Sequence, residues 1–267
     1  MFLDKKDNGI SKALLRSNGR KKWDREPEFM DIIQTEVHEG MVAFDLGANI
    51  GYVTLVLSEL VGPKGHVFAV EPSPRNFEIL KRNIELNNYS DRVTAFQMAI
   101  SNQNKTTKFY ISKASNLHSL IPSPHTQKTI EVPTKTTDDF FKDKPFPNFI
   151  KMDLEGGEVE AFQGMMKTMA KAKPPVKILV EVHPMYYTSE RSFEKELQKM
   201  VDLGFRAKYV VSAGIAEPDF FKERGYKPKK IYYESPWYRG VYTDVSSRDM
   251  ILASNHCHTQ IIKKPLK

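Results

Sequence analysis

Two acidic residues stand where a β-α-β unit would place the groups that bind a nucleoside. The apolar run 42–46 contains Asp45 near its end, and Gly47 and Gly51 follow before an amphipathic segment begins. This pattern predicts a buried strand, a tight turn and the N-terminus of a helix. Twenty residues after Gly51, a second apolar run ends in Glu71. An acid at the tip of the second strand can accept hydrogen bonds from both hydroxyls of a ribose, so a cofactor containing adenosine is predicted.

The turn after Asp45 distinguishes between classes of adenosine cofactor. A dinucleotide site uses a middle glycine so that the backbone can approach a pyrophosphate, and that position holds Asn49. The carboxylate of Asp45 would repel a pyrophosphate but could pair with the ammonium of an amino-acid-like ligand. S-adenosylmethionine has the ribose and this ammonium and lacks a phosphate, so the turn favours it. An NAD-dependent oxidoreductase and a non-catalytic adenosyl-binding protein are the alternatives.

A second acidic cluster follows residues 149–152, three of which are apolar. Asp153 and Glu155 fall at the carboxyl end of this predicted strand, where open parallel sheets place their ligands. The next strand, 177–182, ends beside His183, and a histidine has a suitable pKa to take a proton from a hydroxyl near neutral pH. Asp153, Glu155 and His183 are therefore the predicted catalytic residues. A simple bond to the backbone is the alternative for His183.

The same side chains could bind a metal ion. Glu158 would begin the next helix, where capping explains a carboxylate as well as function does. The acids of this cluster with His183 form an oxygen-rich set that suits Mg²⁺, and residues 256–258, His-Cys-His, contain zinc ligands. Both are weaker hypotheses than a site without metal, so no metal is predicted.

A parallel sheet is needed to bring these residues together. From Met41 onward, apolar runs of strand length alternate with helical segments, which is typical of strands joined by crossover helices. The predicted strands are 41–46, 66–70, 93–98, 148–153, 177–182 and 205–211, and the predicted helices are 28–38, 50–61, 74–88, 157–171 and 190–203. Short strands at 107–111 and 130–133 flank a loop, 112–127, that could cover the site, and 249–253 is predicted as the last strand.

Length and composition indicate an ordinary globular protein. The 267 residues suffice for one α/β domain over 41–255, with an N-terminal lead-in over 1–40 and a basic C-terminal tail over 256–267. The only cysteine, Cys257, cannot form an internal disulfide, and no apolar run approaches the about 20 residues that span a bilayer, so a cytoplasmic location without a membrane span is predicted. The net charge of +7 could attract an acidic partner. No aromatic-interleaved basic stripe accompanies the lysines, so solvated loops are favoured and no nucleic-acid partner is predicted.

In order and spacing, the motifs resemble those of the FkbM family of S-adenosylmethionine-dependent methyltransferases. The resemblance is carried by residues 45–52, 70–72, 136–140, 151–158 and 181–183. It implies an α/β fold of the class I methyltransferase type, which is Rossmann-like. That fold has a seven-stranded, mostly parallel sheet with the last strand antiparallel and helices on both faces.

The resemblance also implies roles for individual residues. The residues implied to bind the cofactor are Asp45, Gly47, Asn49, Gly51, Glu71, Pro72, Ala99 and Asp153. The first four would surround the methionine moiety, and Glu71 would bind the ribose. Residues 98–101 would lie near the adenine, and Asp153 beside the methyl group that is transferred.

The sequence indicates the methyl acceptor less specifically than it indicates the methyl donor. The expected chemistry is an in-line displacement at the sulfonium methyl by an acceptor oxygen, in which the enzyme supplies alignment and removes a proton. The lysines and four aromatic residues would suit a sugar or glycan: Tyr232, Tyr233, Trp237 and Tyr238. The hydroxyl of a polyketide or peptide is the alternative. The same aromatics are more often part of a core or of the contact in a homodimer, which stays open.

Overall fold

The computed structural model describes residues 1–16, 25–172, 175–213, 218–233, 238–255 and 259–264, the last of these as backbone. The helices are α1 (Ile10–Arg16), α2 (Pro27–Glu36), α3 (Tyr52–Val61), α4 (Pro74–Leu86), α5 (Thr137–Phe140), α6 (Glu158–Gln163), α7 (Met166–Lys171), α8 (Phe193–Asp202), α9 (Pro218–Glu223) and α10 (Ser247–Ala253). The strands are β1 (Val42–Leu46), β2 (His66–Val70), β3 (Val93–Phe96), β4 (Ala99–Ile100), β5 (Lys105–Ser112), β6 (Thr126–Lys135), β7 (Phe149–Met152), β8 (Val176–Glu181), β9 (Arg206–Ala213), β10 (Lys230–Tyr233), β11 (Arg239–Tyr242) and β12 (Thr259–Lys264).

A large mixed sheet forms the centre of the molecule. Its strand order is β10-β11-β9-β12-β8-β7-β1-β2-β3. The five strands from β3 to β8 pair in parallel, and β12 is antiparallel to both of its neighbours, β8 and β9. The predicted fold class is therefore confirmed, and among the described residues this sheet has nine strands instead of seven. The two additional strands, β11 and β10, extend the edge beyond β9 by antiparallel pairing.

Helices cover both faces of the sheet because successive residues of its strands point to opposite sides. One buried cluster contains Phe44, Ile150 and Ile178 from the strands with Phe162 of α6 and Leu197 of α8. The other contains the residues next to these in sequence, Ala43, Phe149 and Leu179, with Ile33 of α2, Leu57 of α3 and Leu80 of α4. Strands buried on both faces explain the continuous apolar runs in the sequence.

Two predictions near the C-terminus are wrong. Residues 249–253 lie in α10, whose start is capped by Ser246 accepting a hydrogen bond from the backbone of Asp249. Met250 and Ala253 are buried at helical spacing, an apolar pattern too short to separate a helix from a strand. Residues 259–264, predicted as part of a basic tail, form the antiparallel strand β12 inside the sheet. The predicted end of the domain at residue 255 is therefore wrong for this segment.

Two smaller differences concern element bounds. The helix predicted over 157–171 is two short helices, α6 and α7, separated at Gly164. The strand predicted over 93–98 ends at Phe96, and the chain then starts a separate three-stranded sheet of order β4-β6-β5. In the lead-in, α2 packs its apolar side into the second cluster.

Residues 256–258 and Trp237 lie outside the described residues. Within the described part, no helix is long and apolar enough to cross a membrane.

Candidate active site

The carboxyl ends of the parallel strands β1, β2 and β7 meet at one edge of the sheet and form a crevice there. This crevice has about 590 Å³ of space, including space open to solvent. Among its lining residues are Gly47, Asn49, Glu71, Pro72, Ala99, Asp153 and Glu155. The sequence thus identified seven residues that the sheet brings to one crevice. Ile100 also lines it, as expected of the segment after the third strand.

Gly47 allows the ends of β1 and β7 to approach each other. Its φ is +76°, a conformation that side chains disfavour, and a Cβ atom there would lie 2.0 Å from the carbonyl oxygen of Asp153. The backbone N–H of Asp153 donates to the carbonyl of Leu46 at 3.2 Å, which fixes the approach. The close contact predicted at this turn is therefore made by the neighbouring strand.

Glu71 is buried at the tip of β2 and presents a carboxylate to the crevice. Its Oε2 accepts a hydrogen bond from the backbone N–H of Asn49 at 2.9 Å, and its Oε1 accepts one from the N–H of Ser73 at 2.8 Å. A carboxylate has about four acceptor positions, so each oxygen can still accept a hydroxyl proton. Burial raises the pKa of Glu71 to about 7, although these hydrogen bonds and the charge of Lys151 oppose the shift.

Asp45 does not belong to the described lining of the crevice, which differs from the expectation. Its side chain is fully buried, and its Oδ2 accepts a hydrogen bond from the hydroxyl of Thr54 at 2.6 Å. The Nζ of Lys151 lies 3.6 Å from Asp45 Oδ1 and 3.7 Å from Asp153 Oδ2, and it donates to the carbonyl of Gly47 at 3.1 Å. Lys151 thus stands between Asp45 and the crevice and occupies the place of the expected ammonium.

Gly51 also differs from its predicted role. It precedes α3, and a Cβ atom there would lie 2.8 Å from the side chain of Leu80 in α4. The glycine therefore serves helix packing. Lys151 is the functional residue that was missed, and a lysine inside an apolar strand was the available signal, since buried lysines are rare unless paired.

A cluster of carboxylates surrounds His183 beside the crevice. His183 Nε2 lies 3.5 Å from Glu155 Oε2 and 3.9 Å from Asp153 Oδ1. Its other ring nitrogen, Nδ1, is 2.9 Å from Oε1 of the fully buried Glu158. Glu158 Oε1 also accepts from the N–H groups of Leu154 and Gly156, each at 3.2 Å. Glu158 is therefore part of the cluster in addition to starting a helix.

The carboxylates change the protonation of this cluster. Burial alone would lower the pKa of His183, but the charge and hydrogen bond of Glu158, with the charges of Asp153 and Glu155, raise it well above its usual value. Burial, followed by the charge of Asp153, raises the pKa of Glu155 to about 8. A histidine in this setting favours its protonated form, which donates protons rather than accepts them. Its predicted role as a proton acceptor stays a prediction.

The loop after β5 forms one wall of the crevice. Ser115 begins a short helical turn there, and its carbonyl accepts hydrogen bonds from the side-chain amides of Asn49 at 3.1 Å and Asn76 at 3.3 Å. The N–H and hydroxyl of Ser115 both donate to Asp7, at 3.2 and 2.9 Å. His118 also lines the crevice. Residues of the loop that was predicted as a possible cover therefore line the crevice, and Asp7 of the N-terminal lead-in accepts hydrogen bonds from this loop.

Comparison with known proteins identifies the family of this chain. Residues 45–207 match the family described as Methyltransferase FkbM domain. The chain belongs to the FkbM methyltransferase family. The cofactor of this FkbM protein is accordingly S-adenosylmethionine.

Sequence identity to individual relatives is low. The chain is 27% identical over 169 residues to the hexuronic acid methyltransferase AglP of Haloferax volcanii, covering 59% of this chain and 62% of that one. It is 27% identical over 143 residues to methyltransferase 1 of Beauveria bassiana, covering 45% of this chain and 57% of that one. It thus spans about six-tenths of the length of either relative. The crystal structure of methyltransferase FkbM from Methylobacillus flagellatus has 19% sequence identity and a TM-score of 0.45, over 76% of this chain and 43% of that one.

The aromatic residues predicted for the acceptor do not line the described crevice. The hydroxyl of Tyr232 donates to Asp31 Oδ2 at 2.6 Å, and its ring packs against the second buried cluster. The hydroxyl of Tyr238 is 3.2 Å from that of Tyr242. Both lie at the edge of the sheet formed by β10 and β11. The side chains of Tyr233 and Trp237, and the segment 256–258 with Cys257, lie outside the described residues.

Proposed function

We propose that this FkbM methyltransferase transfers the methyl group of S-adenosylmethionine to a hydroxyl of a sugar or glycan. The observation that carries the proposal is the meeting of Glu71 with the Asp153–Glu155 pair at one crevice. The first suits a ribose, and the pair suits a hydroxyl that must lose a proton. Their order along the crevice follows from the strand order, since β1 separates β2 from β7.

The residues of the crevice fit this donor. Glu71 keeps free acceptor positions for the ribose hydroxyls, and Pro72 and Ala99 give apolar contact for the adenine. The side-chain Oδ1 of Asn49 is buried and has no hydrogen-bond partner among the described residues. This oxygen could therefore accept a hydrogen bond from the ammonium of S-adenosylmethionine. Asp45 cannot do so directly, because Lys151 lies between Asp45 and the crevice. Gly47 keeps the turn close to β7, so that donor and Asp153 share one space.

The proposed reaction is a single displacement. S-adenosylmethionine, when bound, would supply a methyl group on a positively charged sulfur, and displacement by the acceptor oxygen would leave S-adenosylhomocysteine. Asp153 and Glu155 orient the acceptor hydroxyl, and a carboxylate oxygen of this pair takes its proton. Alignment of the two reactants is the main contribution of the protein.

A second cavity next to the crevice supports a polar acceptor. It holds about 860 Å³ of space, including space open to solvent, and shares Gly47, Asn49, Asp153 and Glu155 with the crevice. Its further lining includes Arg25, whose buried Nε has no hydrogen-bond partner among the described residues. Such a lining offers many hydrogen bonds, which suits a sugar better than an apolar polyketide. A relative named hexuronic acid methyltransferase points in the same direction.

Transfer of labelled methyl groups tests the proposal. The full chain is incubated with methyl-labelled S-adenosylmethionine and separated glycan, lipid and peptide fractions of a cell extract, and labelled products are analysed by mass spectrometry. Label in a glycan hydroxyl is expected. Label only in carboxyl or amino groups, or only in peptides, would contradict the sugar O-methylation.

Residue roles are tested with the acceptor found in this way. Asp153→Asn should reduce turnover by about 10²–10⁴-fold, the usual contribution of acid–base catalysis, and should still bind S-adenosylhomocysteine. Glu131→Gln, a change of an exposed acid on β6, is the matched control and should keep full turnover. Full turnover in both Asp153→Ala and His183→Ala would refute the assignment. Calorimetry with S-adenosylmethionine, S-adenosylhomocysteine and NAD tests the oxidoreductase alternative, and the homodimer and the cytoplasmic location stay predictions.

A further inference from the structure

We propose that Asp153, Glu155 and His183 form a binding site for one divalent transition-metal ion, at the boundary between the crevice and the second cavity. One ligand atom of each residue lies within 4.8 Å of the other two. The inference deepens the proposed function and rests on it only for the role of the ion toward the acceptor. Binding of the ion follows from the three side chains themselves.

His183 is oriented as a metal ligand. Metal-binding histidines almost always donate their second ring nitrogen to a carboxylate or carbonyl, which fixes the ring and its tautomer. Here Nδ1 lies 2.9 Å from Glu158 Oε1, and Glu158 is itself held by two backbone N–H groups and by the hydroxyl of Tyr187 at 3.0 Å. The opposite nitrogen, Nε2, points to Asp153 and Glu155 and has no hydrogen bond to a described residue within normal geometry. About nine-tenths of this side chain is buried.

Asp153 provides an independent sign of a missing partner. Its Oδ1 is buried and has no hydrogen-bond partner among the described residues, although its Oδ2 lies 3.7 Å from Lys151 Nζ. A buried carboxylate oxygen without a partner is costly. Because this oxygen lies 3.9 Å from His183 Nε2, a cation between the two would satisfy both.

The surrounding charge also favours a cation. Acids outnumber bases among the described residues that line the second cavity, with Glu26, Asp153, Glu155 and Glu181 against Arg25 and Lys151. Partly buried carboxylates of this kind repel one another unless they are protonated or neutralised. A divalent ion beside His183 would neutralise the charges of Asp153 and Glu155.

Ligand type and spacing indicate which ions fit. Ligands about 2.0–2.2 Å from a metal ion lie about 2.8–3.6 Å from one another in octahedral or tetrahedral sites. The distances from Nε2 to the two carboxylates, 3.5 and 3.9 Å, need only a small contraction. An imidazole nitrogen with two carboxylates suits Mn²⁺, Fe²⁺ or Zn²⁺ better than Ca²⁺, which takes oxygen ligands. The ion would leave positions for the acceptor oxygen and lower its pKa, which reduces the basicity that Glu155 must supply.

The test measures Mn²⁺ binding to the full chain by electron paramagnetic resonance, without donor or acceptor. The expected result is one Mn²⁺ per chain, displaced by Zn²⁺, with a nitrogen coupling from the imidazole. His183→Ala should abolish the coupling, and both it and Asp153→Asn should weaken binding at least about tenfold. Glu131→Gln is the control and should bind like the unchanged protein. Absence of saturable binding, or equal affinity in His183→Ala, would overturn the proposal.

Two further measurements separate this inference from the proposed function. Circular dichroism and binding of S-adenosylhomocysteine show whether each variant is folded, so that loss of Mn²⁺ is not confused with loss of structure. Methyl transfer is then measured in the presence and absence of a chelator. Transfer without any Mn²⁺ binding would contradict the metal site alone, and Mn²⁺ binding without transfer to any hydroxyl would contradict the proposed function alone.

Discussion

Replacement of Gly47 by alanine tests the close approach of β1 and β7 on which the site depends. Two effects combine at this position. The left-handed backbone, with φ +76°, costs an alanine about 1–2 kcal/mol. The added Cβ would lie 2.0 Å from the carbonyl oxygen of Asp153, and relief of such overpacking costs about 1–3 kcal/mol more. We therefore expect Gly47→Ala to lower the free energy of unfolding by about 2–5 kcal/mol.

Gly40, which lies just before the other end of β1, provides the matched control. Its φ is +82°, and no described atom lies within 4 Å of where its Cβ would be. Gly40→Ala should therefore show the backbone penalty alone, about 1–2 kcal/mol. Urea denaturation followed by circular dichroism measures both variants under the same conditions. The difference between them isolates the contact with the end of β7.

Activity gives a second measure of the same contact. To restore an ordinary separation, the carbonyl of Asp153 must move by about 1 Å, and a displacement of that size in an active site reduces turnover about 100-fold. Gly47→Ala should show this loss at a temperature where it is folded, and Gly40→Ala should keep its turnover. Equal stability and equal activity of the two variants would refute the proposed role of the strand approach.

Three further predictions concern the ribose acid, the buried lysine and the loop. Because burial raises the pKa of Glu71 to about 7 and a hydroxyl is bound best by the ionised form, affinity for S-adenosylhomocysteine should rise up to about tenfold per pH unit below 7 and level off above it. Calorimetry from about pH 5.5 to about pH 8.5, in steps of about one unit, checks this, and Glu71→Gln should bind weakly with no such dependence. Lys151→Met leaves the charge of Asp45 buried and unpaired, so it should lower the free energy of unfolding, measured in urea, by about 3–5 kcal/mol. The double variant with Asp45→Asn should recover part of this loss. No recovery would contradict the pairing of Lys151 with Asp45. Asp7→Ala removes two hydrogen bonds that hold Ser115 and should weaken S-adenosylhomocysteine binding by about 5- to 30-fold, or about 1–2 kcal/mol; unchanged affinity would show that the loop needs no anchor.

The sequence by itself determined the parallel core and most of the crevice. Apolar runs that end in Asp45, Glu71 and Asp153 fix both the strands and the edge where their ends meet, because parallel strands present their carboxyl ends together. The family resemblance then assigned the donor. Local patterns failed where the apolar signal was short: residues 249–253 are helical, and 259–264 enter the sheet only by pairing with β8 and β9.

Only the tertiary structure decided how the charged residues pair. The sequence places Asp45 at the turn, but the side chain of Lys151, from a strand more than 100 residues away, lies between it and the crevice. The tertiary structure also decided the partners of His183, because its two ring nitrogens face different carboxylates, those of Glu155 and Glu158. Charge pairing depends on distances between strands, which a linear pattern does not contain. The sequence therefore identified the cofactor and the acids, and the packing of neighbouring strands decided which charged groups pair with those acids.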